Sequence, residues 1–134
     1  EDTALAAALC FEITETAAVT SLSNAAFAMQ ELKARGCKFA LDDFGTGLSS
    51  FMYLKSLPVD FLKIDGQFVR RIAEDPVDRS VVEAICKVGR TLGIATVAEF
   101  VEAQPVLDEL KRIGVDYAQG FLLANPLPIA QLRP

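Results

Sequence analysis

Histidine and tryptophan are both missing from the 134 residues, and there are only two tyrosines, two methionines and three cysteines. Without histidine the chain can build neither a His-bearing zinc site nor a Ser-His or Cys-His catalytic pair. Cys10, Cys37 and Cys86 are odd in number and lack CxxC spacing. They read as buried, reduced thiols of a cytoplasmic protein, not as a disulfide frame. Basic residues are scarce too: 13 Lys plus Arg stand against 18 Asp plus Glu, for a net charge of −5. That balance gives no basic field for duplex nucleic acid, and Arg70, Arg71 and Arg79 are too scattered to make a patch. No apolar run is long enough to span a bilayer, no segment is of low complexity, and a signal peptide is not expected from these residues.

What the chain has in quantity is apolar surface. Hydrophobic residues make up 51% of it, with 23% charged residues and a mean hydropathy of +0.31. Five short apolar runs each carry a polar group at or near the C-terminal end. They are Leu9 to Phe11 before Glu12-Ile13-Thr14-Glu15, Phe39 to Leu41 before Asp42-Asp43, and Val59 to Asp65 with Lys63 inside. The fourth is Ile94 to Ala98 before Glu99 and Glu102, and the fifth is Val115 to Gly120 with Gln119. Helix-like segments separate them. Residues 23–35 place Ala26, Phe27, Gln30 and Lys33/Ala34 on successive turns and stop at Gly36. Residues 77–92 set Val81, Val82, Ile85, Val88 and Leu92 at helical spacing before Gly93, and residues 103–113 stop at Gly114.

Strands alternating with helices predict a parallel sheet of about five strands, whose polar groups gather at the carboxyl ends where α/β sites are built. A closed eight-unit barrel takes roughly 250 residues, so this chain fits part of one. A complete flavodoxin-like receiver fits the length, but it needs its acidic pair after the first strand, whereas Asp42-Asp43 follows the second run. Adjacent carboxylates at a strand end are hard oxygen ligands suited to Mg²⁺ or Mn²⁺. Taken one at a time, these features also describe a solvated loop, a surface ion pair or acids in a first helical turn.

Taken in order, they resemble one family. Glu12-Ile13-Thr14-Glu15, Ala40 to Ser50 (Ala-Leu-Asp-Asp-Phe-Gly-Thr-Gly-Leu-Ser-Ser), Leu57 to Asp65, Val97 to Glu102 and Gln119-Gly120 are similar to the motifs of the EAL domain of bacterial cyclic di-GMP phosphodiesterases, from about residue 9 to Pro128. The resemblance implies an α/β TIM-like barrel, present here as its C-terminal part. It also implies hydrolysis of cyclic di-GMP to linear pGpG with two Mg²⁺ or Mn²⁺ ions. Glu12, Asp42 and Asp43 then look like metal-binding acids. Lys63 looks like the active-site lysine, Glu99 like the acid for metal or general-base work, and Gln119 like a group ordering the site. Glu102 and the loop with Gly45, Thr46, Gly47, Ser49 and Ser50 resemble the elements that couple the metals to a dimer interface.

Two departures shape the expectation. Only eleven residues precede Glu12, and they hold neither the family's Glu-Ala-Leu signature strand nor the Asn ligand of the next strand. Residues 1–134 therefore read as a single, truncated EAL domain, slow or inactive alone, whose open sheet pairs as a homodimer or with the missing N-terminal half of the barrel. Pro126 and Pro128 close the pattern. The parent protein is of a kind often membrane-tethered or fused to sensory domains. The second departure is Phe100, where the family usually has Gly. It supports an alternative expectation, a degenerate EAL domain serving as a cyclic di-GMP receptor or interaction module. The segment Leu48, Phe51, Met52 and Leu54 is apolar enough to be a dimer helix.

Overall fold

The structure is a computed structural model and describes residues 3–47, 51–128 and 131. Five strands form one sheet: β1 (Cys10–Thr14), β2 (Lys38–Phe44), β3 (Phe61–Ile64), β4 (Ala95–Ala98) and β5 (Tyr117–Ala118). They lie in sequence order and every neighbouring pair is parallel. Helices α1 (Thr3–Ala8), α2 (Glu15–Thr20), α3 (Leu22–Lys33), α4 (Gly66–Val69), α5 (Pro76–Leu92) and α6 (Gln104–Ile113) precede or connect the strands, with a 3₁₀ turn at Phe51–Ser56. Parallel strands in sequence order with helices between them form a part-barrel, and β1 and β5 are its two edges.

The helices begin and end where local chemistry dictates. Asp75 caps α5 by accepting from the backbone N–H groups of Val77 and Asp78, and Pro76 sits in its first turn. Gly93 and Gly114 close α5 and α6 in the left-handed conformation. The apolar stripe of α5 packs as its spacing requires: Val82, Ile85 and Cys86 are buried with Leu41, Phe44, Leu62 and Ile64 of the sheet. In α3 the buried residue is Met29, while Phe27 is 67% exposed, so the stripe expected through Phe27 is set about two residues off.

Side chains alternate across each strand, so one set faces the helices and the other lines the barrel interior. The interior set, Cys10, Glu12, Ala40, Phe61, Lys63, Val97, Tyr117 and Gln119, borders a cleft of about 360 Å³. Cys10 is exposed on this side of the edge strand, which corrects the expectation of a buried thiol; Cys37 and Cys86 are buried as expected. Two aspartates fix the strand register from the opposite end of the sheet. Asp60 accepts from Phe39 N–H and pairs with Lys33 at 2.6 Å. Asp116 accepts from both the N–H and the hydroxyl of Thr96. Each stands three residues before an interior polar group, Lys63 and Gln119 respectively.

Candidate active site

Lys63 is the centre of the candidate site. Its side chain is 7% exposed and its ammonium meets three carboxylates from three other strands or strand ends. Glu12 of β1 accepts through both oxygens at 2.9 and 3.0 Å. Glu99, just after β4, stands at 3.0 Å, and Asp42 of β2 at 3.4 Å. Burial by itself would lower the lysine pKa, but the bonds to Glu12 and Glu99 outweigh it and hold the group charged, above its ordinary value. The parallel register sets Glu12 level with Ala40 and Phe61, and Lys63 two residues further along β3, so two long interior side chains close that step.

β2 departs from regular pairing where its acids lie. Leu41 pairs with Leu62 and Phe44 with Ile64, so three steps of β2 match two of β3. Asp42 and Asp43 occupy that bulge, and Asp43 takes a positive φ of 53°. Strain of this kind at a strand end re-aims side chains. The result is a cluster in which one oxygen each of Asp42, Asp43 and Glu99 lies within 4.8 Å of the others. Burial raises the Glu99 carboxyl above its ordinary pKa, and the charge of Asp42 pushes the same way against the pull of Lys63. Burial also raises Asp43, followed by the charges of Asp42 and Asp65. Carboxylates so crowded are relieved by a cation.

One atom tests whether a divalent ion suits the site. Oδ1 of Asp42 is buried and accepts no hydrogen bond, the Lys63 ammonium standing 3.4 Å away as an ion-pair partner only. A buried carboxylate oxygen so incompletely satisfied is costly, and a hard cation is the partner that such an oxygen cluster fits. The sequence reading grouped Glu12 with Asp42 and Asp43. Here Glu99 joins the two aspartates, and Glu12 is bound to Lys63 with half its side chain exposed.

Glu15, the last acid of Glu12-Ile13-Thr14-Glu15, is a structural anchor. It is 3% exposed and accepts from the N–H groups of Gly45 and Gly47 and from the Tyr53 hydroxyl. It thereby pins the turn that follows Asp42-Asp43 to the start of α2. Its place as the second acid of Glu-Ile-Thr-Glu is visible in the sequence, but its burial is not, because the partners come from distant segments. Thr46 closes the same turn by donating to the Asp43 carbonyl. Ser49 and Ser50, with Leu48, lie outside the described residues. Phe51–Ser56 forms a 3₁₀ turn, in which Phe51 and Met52 are exposed and Leu54 is buried.

Gln119 and Glu102 are exposed at the rim of a smaller cavity, about 220 Å³, shared with Glu99, Phe100, Gly120 and Phe121. Gly120 is required by close approach, because a Cβ there would sit 2.3 Å from backbone atoms of Val101. The Gln119-Gly120 pair thus presses the β5 end against the segment after Glu99, an arrangement closed by Val101 N–H donating to the Gln119 carbonyl at 3.0 Å.

A bulged acidic pair, a lysine held by three carboxylates and a glutamine at successive strand ends coincide with a known sequence profile. The EAL domain profile matches residues 1–126. The chain belongs to the EAL domain family. Among curated relatives, the cyclic di-GMP phosphodiesterase PdeB of Shewanella oneidensis is 48% identical over 122 residues, covering 91% of this chain and 14% of that protein. The cyclic di-GMP phosphodiesterase PdeF of Escherichia coli is 40% identical over 121 residues, 90% of this chain and 16% of the relative. This EAL chain therefore spans less than a fifth of the length of these relatives.

Solved EAL structures agree with the fold. The phosphodiesterase PaMucR in complex with c-di-GMP superposes with a TM-score of 0.88 at 42% identity, over 95% of this chain and 51% of that one. A manganese/c-di-GMP complex of BlrP1 from Klebsiella pneumoniae gives a TM-score of 0.82 at 32% identity, over 87% of this chain and 30% of the other. The fold is thus a partial TIM-like barrel of the EAL type, as the order of motifs implied. No helix among the described residues is long and apolar enough to cross a membrane.

Proposed function

We propose that this EAL domain binds cyclic di-GMP and takes part in cutting one of its phosphodiester bonds to give pGpG. The observation that carries the reading is the oxygen cluster of Asp42, Asp43 and Glu99 beside the buried ammonium of Lys63. Two relatives named as cyclic di-GMP phosphodiesterases support it. The chain spans about half of the PaMucR structure that it matches. The activity of the whole protein therefore forms part of this proposal.

Asp42, Asp43 and Glu99 would hold Mg²⁺ or Mn²⁺, with Glu12 able to join when Lys63 turns toward substrate. Bound divalent cations supply an activated water and charge neutralisation at the phosphate. The remaining work falls to residues of the chain. Lys63 places a fixed positive charge where a phosphate oxygen or its attacking water would lie, at a cost already met by Glu12 and Glu99. Glu99, where it is not bound to the cation, stands beside that water as the carboxylate able to take its proton. Glu15 holds the turn after Asp43, so the strained acid stays aimed inward. Gln119 and Glu102 border the substrate mouth as neutral and acidic groups.

As a separate polypeptide the single truncated domain, residues 1–134, would turn substrate over slowly. Three carboxylates give fewer oxygens than two octahedral ions prefer. A non-catalytic cyclic di-GMP receptor is the second reading, favoured by Phe100, whose φ of 54° crowds the residue beside Glu99. The metal site is tested by calorimetric titration of Mn²⁺ into the full-length gene product. Asp42→Asn combined with Asp43→Asn is expected to abolish binding; unchanged binding would remove both acids from the site.

A further inference from the structure

Phe100 occupies a backbone conformation that favours glycine, directly after an acid of the candidate site. Something must hold it there, and three contacts are visible. Its ring lies over buried Gly66, where a Cβ would come within 2.3 Å of the ring. The guanidinium carbon of Arg70 stands 4.4 Å from the ring centroid, within cation–π range. Phe100 as a whole is 47% exposed and borders the cavity shared with Glu99, Glu102, Gln119 and Phe121. Gly66 and Arg70 belong to the segment after β3, and Phe100 to the segment after β4. The pair therefore bridges two strand ends beside Lys63.

We propose that Arg70, steadied by Phe100, reads the O6 and N7 edge of a guanine base in the bound dinucleotide, while the exposed ring of Phe100 contacts the base plane. This inference rests on the reading of the site as a cyclic di-GMP site. The chemistry favours a base over a phosphate at this place. Asp42, Asp43, Asp65, Glu99 and Glu102 make the mouth acidic, so a second phosphate would be repelled. The carbonyl and ring nitrogen of guanine are neutral acceptors that match the two-pronged donor face of arginine. Adenine offers a donor where guanine offers O6, so an arginine here also selects between purines. A base lies one sugar away from its phosphate, and Phe100 is the residue next to Glu99. Aromatic rings serve such bases as stacking surfaces.

The test uses the full-length gene product in Ca²⁺, which takes the same oxygen ligands in looser geometry. Equilibrium binding is measured for cyclic di-GMP and for its 7-deazaguanine analogue, which lacks N7. Arg70 is exposed, so Arg70→Ala is expected to fold normally. The wild type should prefer the natural ligand at least tenfold, and Arg70→Ala should bind that ligand at least tenfold more weakly. The preference for N7 should fall at least fivefold in the variant, and Arg70→Lys should not restore it. An unchanged preference in Arg70→Ala, or equal weakening of both ligands, overturns the assignment of Arg70 to the base edge. Failure of the wild type to bind cyclic di-GMP would instead overturn the reading of the whole site.

Discussion

Lys63 shows how much one residue decides. A buried ammonium costs free energy unless it is paired, and here Glu12, Asp42 and Glu99 all approach it. Removing the charge leaves acids from three strands facing each other with no positive charge among them. Lys63→Met is therefore expected to destabilise the metal-free chain by about 3 kcal/mol, measured by urea unfolding. Added Mn²⁺ should narrow the difference, since a cation would relieve the same carboxylates. A variant as stable as the wild type without metal would contradict the arrangement. Lys63 was legible in the sequence through the resemblance of Leu57 to Asp65 to a motif of the EAL family. Its partner was not: the choice of Glu12 as the bidentate acceptor depends on strand order, which no local pattern states. The exposure of Cys10 was hidden for a similar reason, since an apolar run does not say that its strand lies at an edge.

At the scale of elements, the turn after β2 carries the acids and Glu15 carries the turn. The helix boundaries near Gly93 and Gly114 could be read directly, because glycine in the left-handed conformation leaves a mark in the sequence. The bulge at Asp42 and Asp43 left none, since it arises from matching three residues of β2 to two of β3. Neither did the burial of Glu15, which depends on Gly45, Gly47 and Tyr53 brought from thirty or more positions away. Tyr53→Phe removes one of its donors and should cost about 2 kcal/mol in thermal or urea unfolding near neutral pH. The pH dependence follows from the tyrosine. Burial first, then the bond to Glu15 and its charge, raise the phenol pKa in the folded state. A raised folded pKa means that the proton is held more tightly in the native protein, so this contribution is complete below the ordinary tyrosine value of about 10. It is lost progressively as pH rises above that value. The stability gap between wild type and Tyr53→Phe should shrink above pH 10; a gap constant to pH 11 would argue against a buried tyrosine–glutamate bond.

The described residues form a sheet with two edges, whose interior carries Glu12, Lys63 and Gln119 among apolar side chains. Among the described residues β1 pairs with β2 alone, and Leu9 and Phe11, beside and on it, are exposed. Unpaired strand edges beside apolar surface recruit other chains. The 134-residue polypeptide is expected to self-associate at micromolar concentrations, with a sedimentation coefficient that rises with concentration; a monomer throughout that range would contradict this. The alternation of strand and helix, the parallel order and the level of the site were all legible, because each follows from local pattern plus the right-handed rules of α/β folds. The position of Phe100 over Gly66 was not, because it joins segments whose proximity exists only once the sheet has formed.

The most direct test is product analysis. The full-length gene product is incubated with cyclic di-GMP and Mn²⁺, and the nucleotides are separated by chromatography. Linear pGpG is expected, dependent on the metal and lost in both Lys63→Ala and Glu99→Gln. Product formed without metal, or undiminished in those variants, would contradict a reaction at this cluster. A folded protein that neither cleaves nor binds the nucleotide would overturn the account.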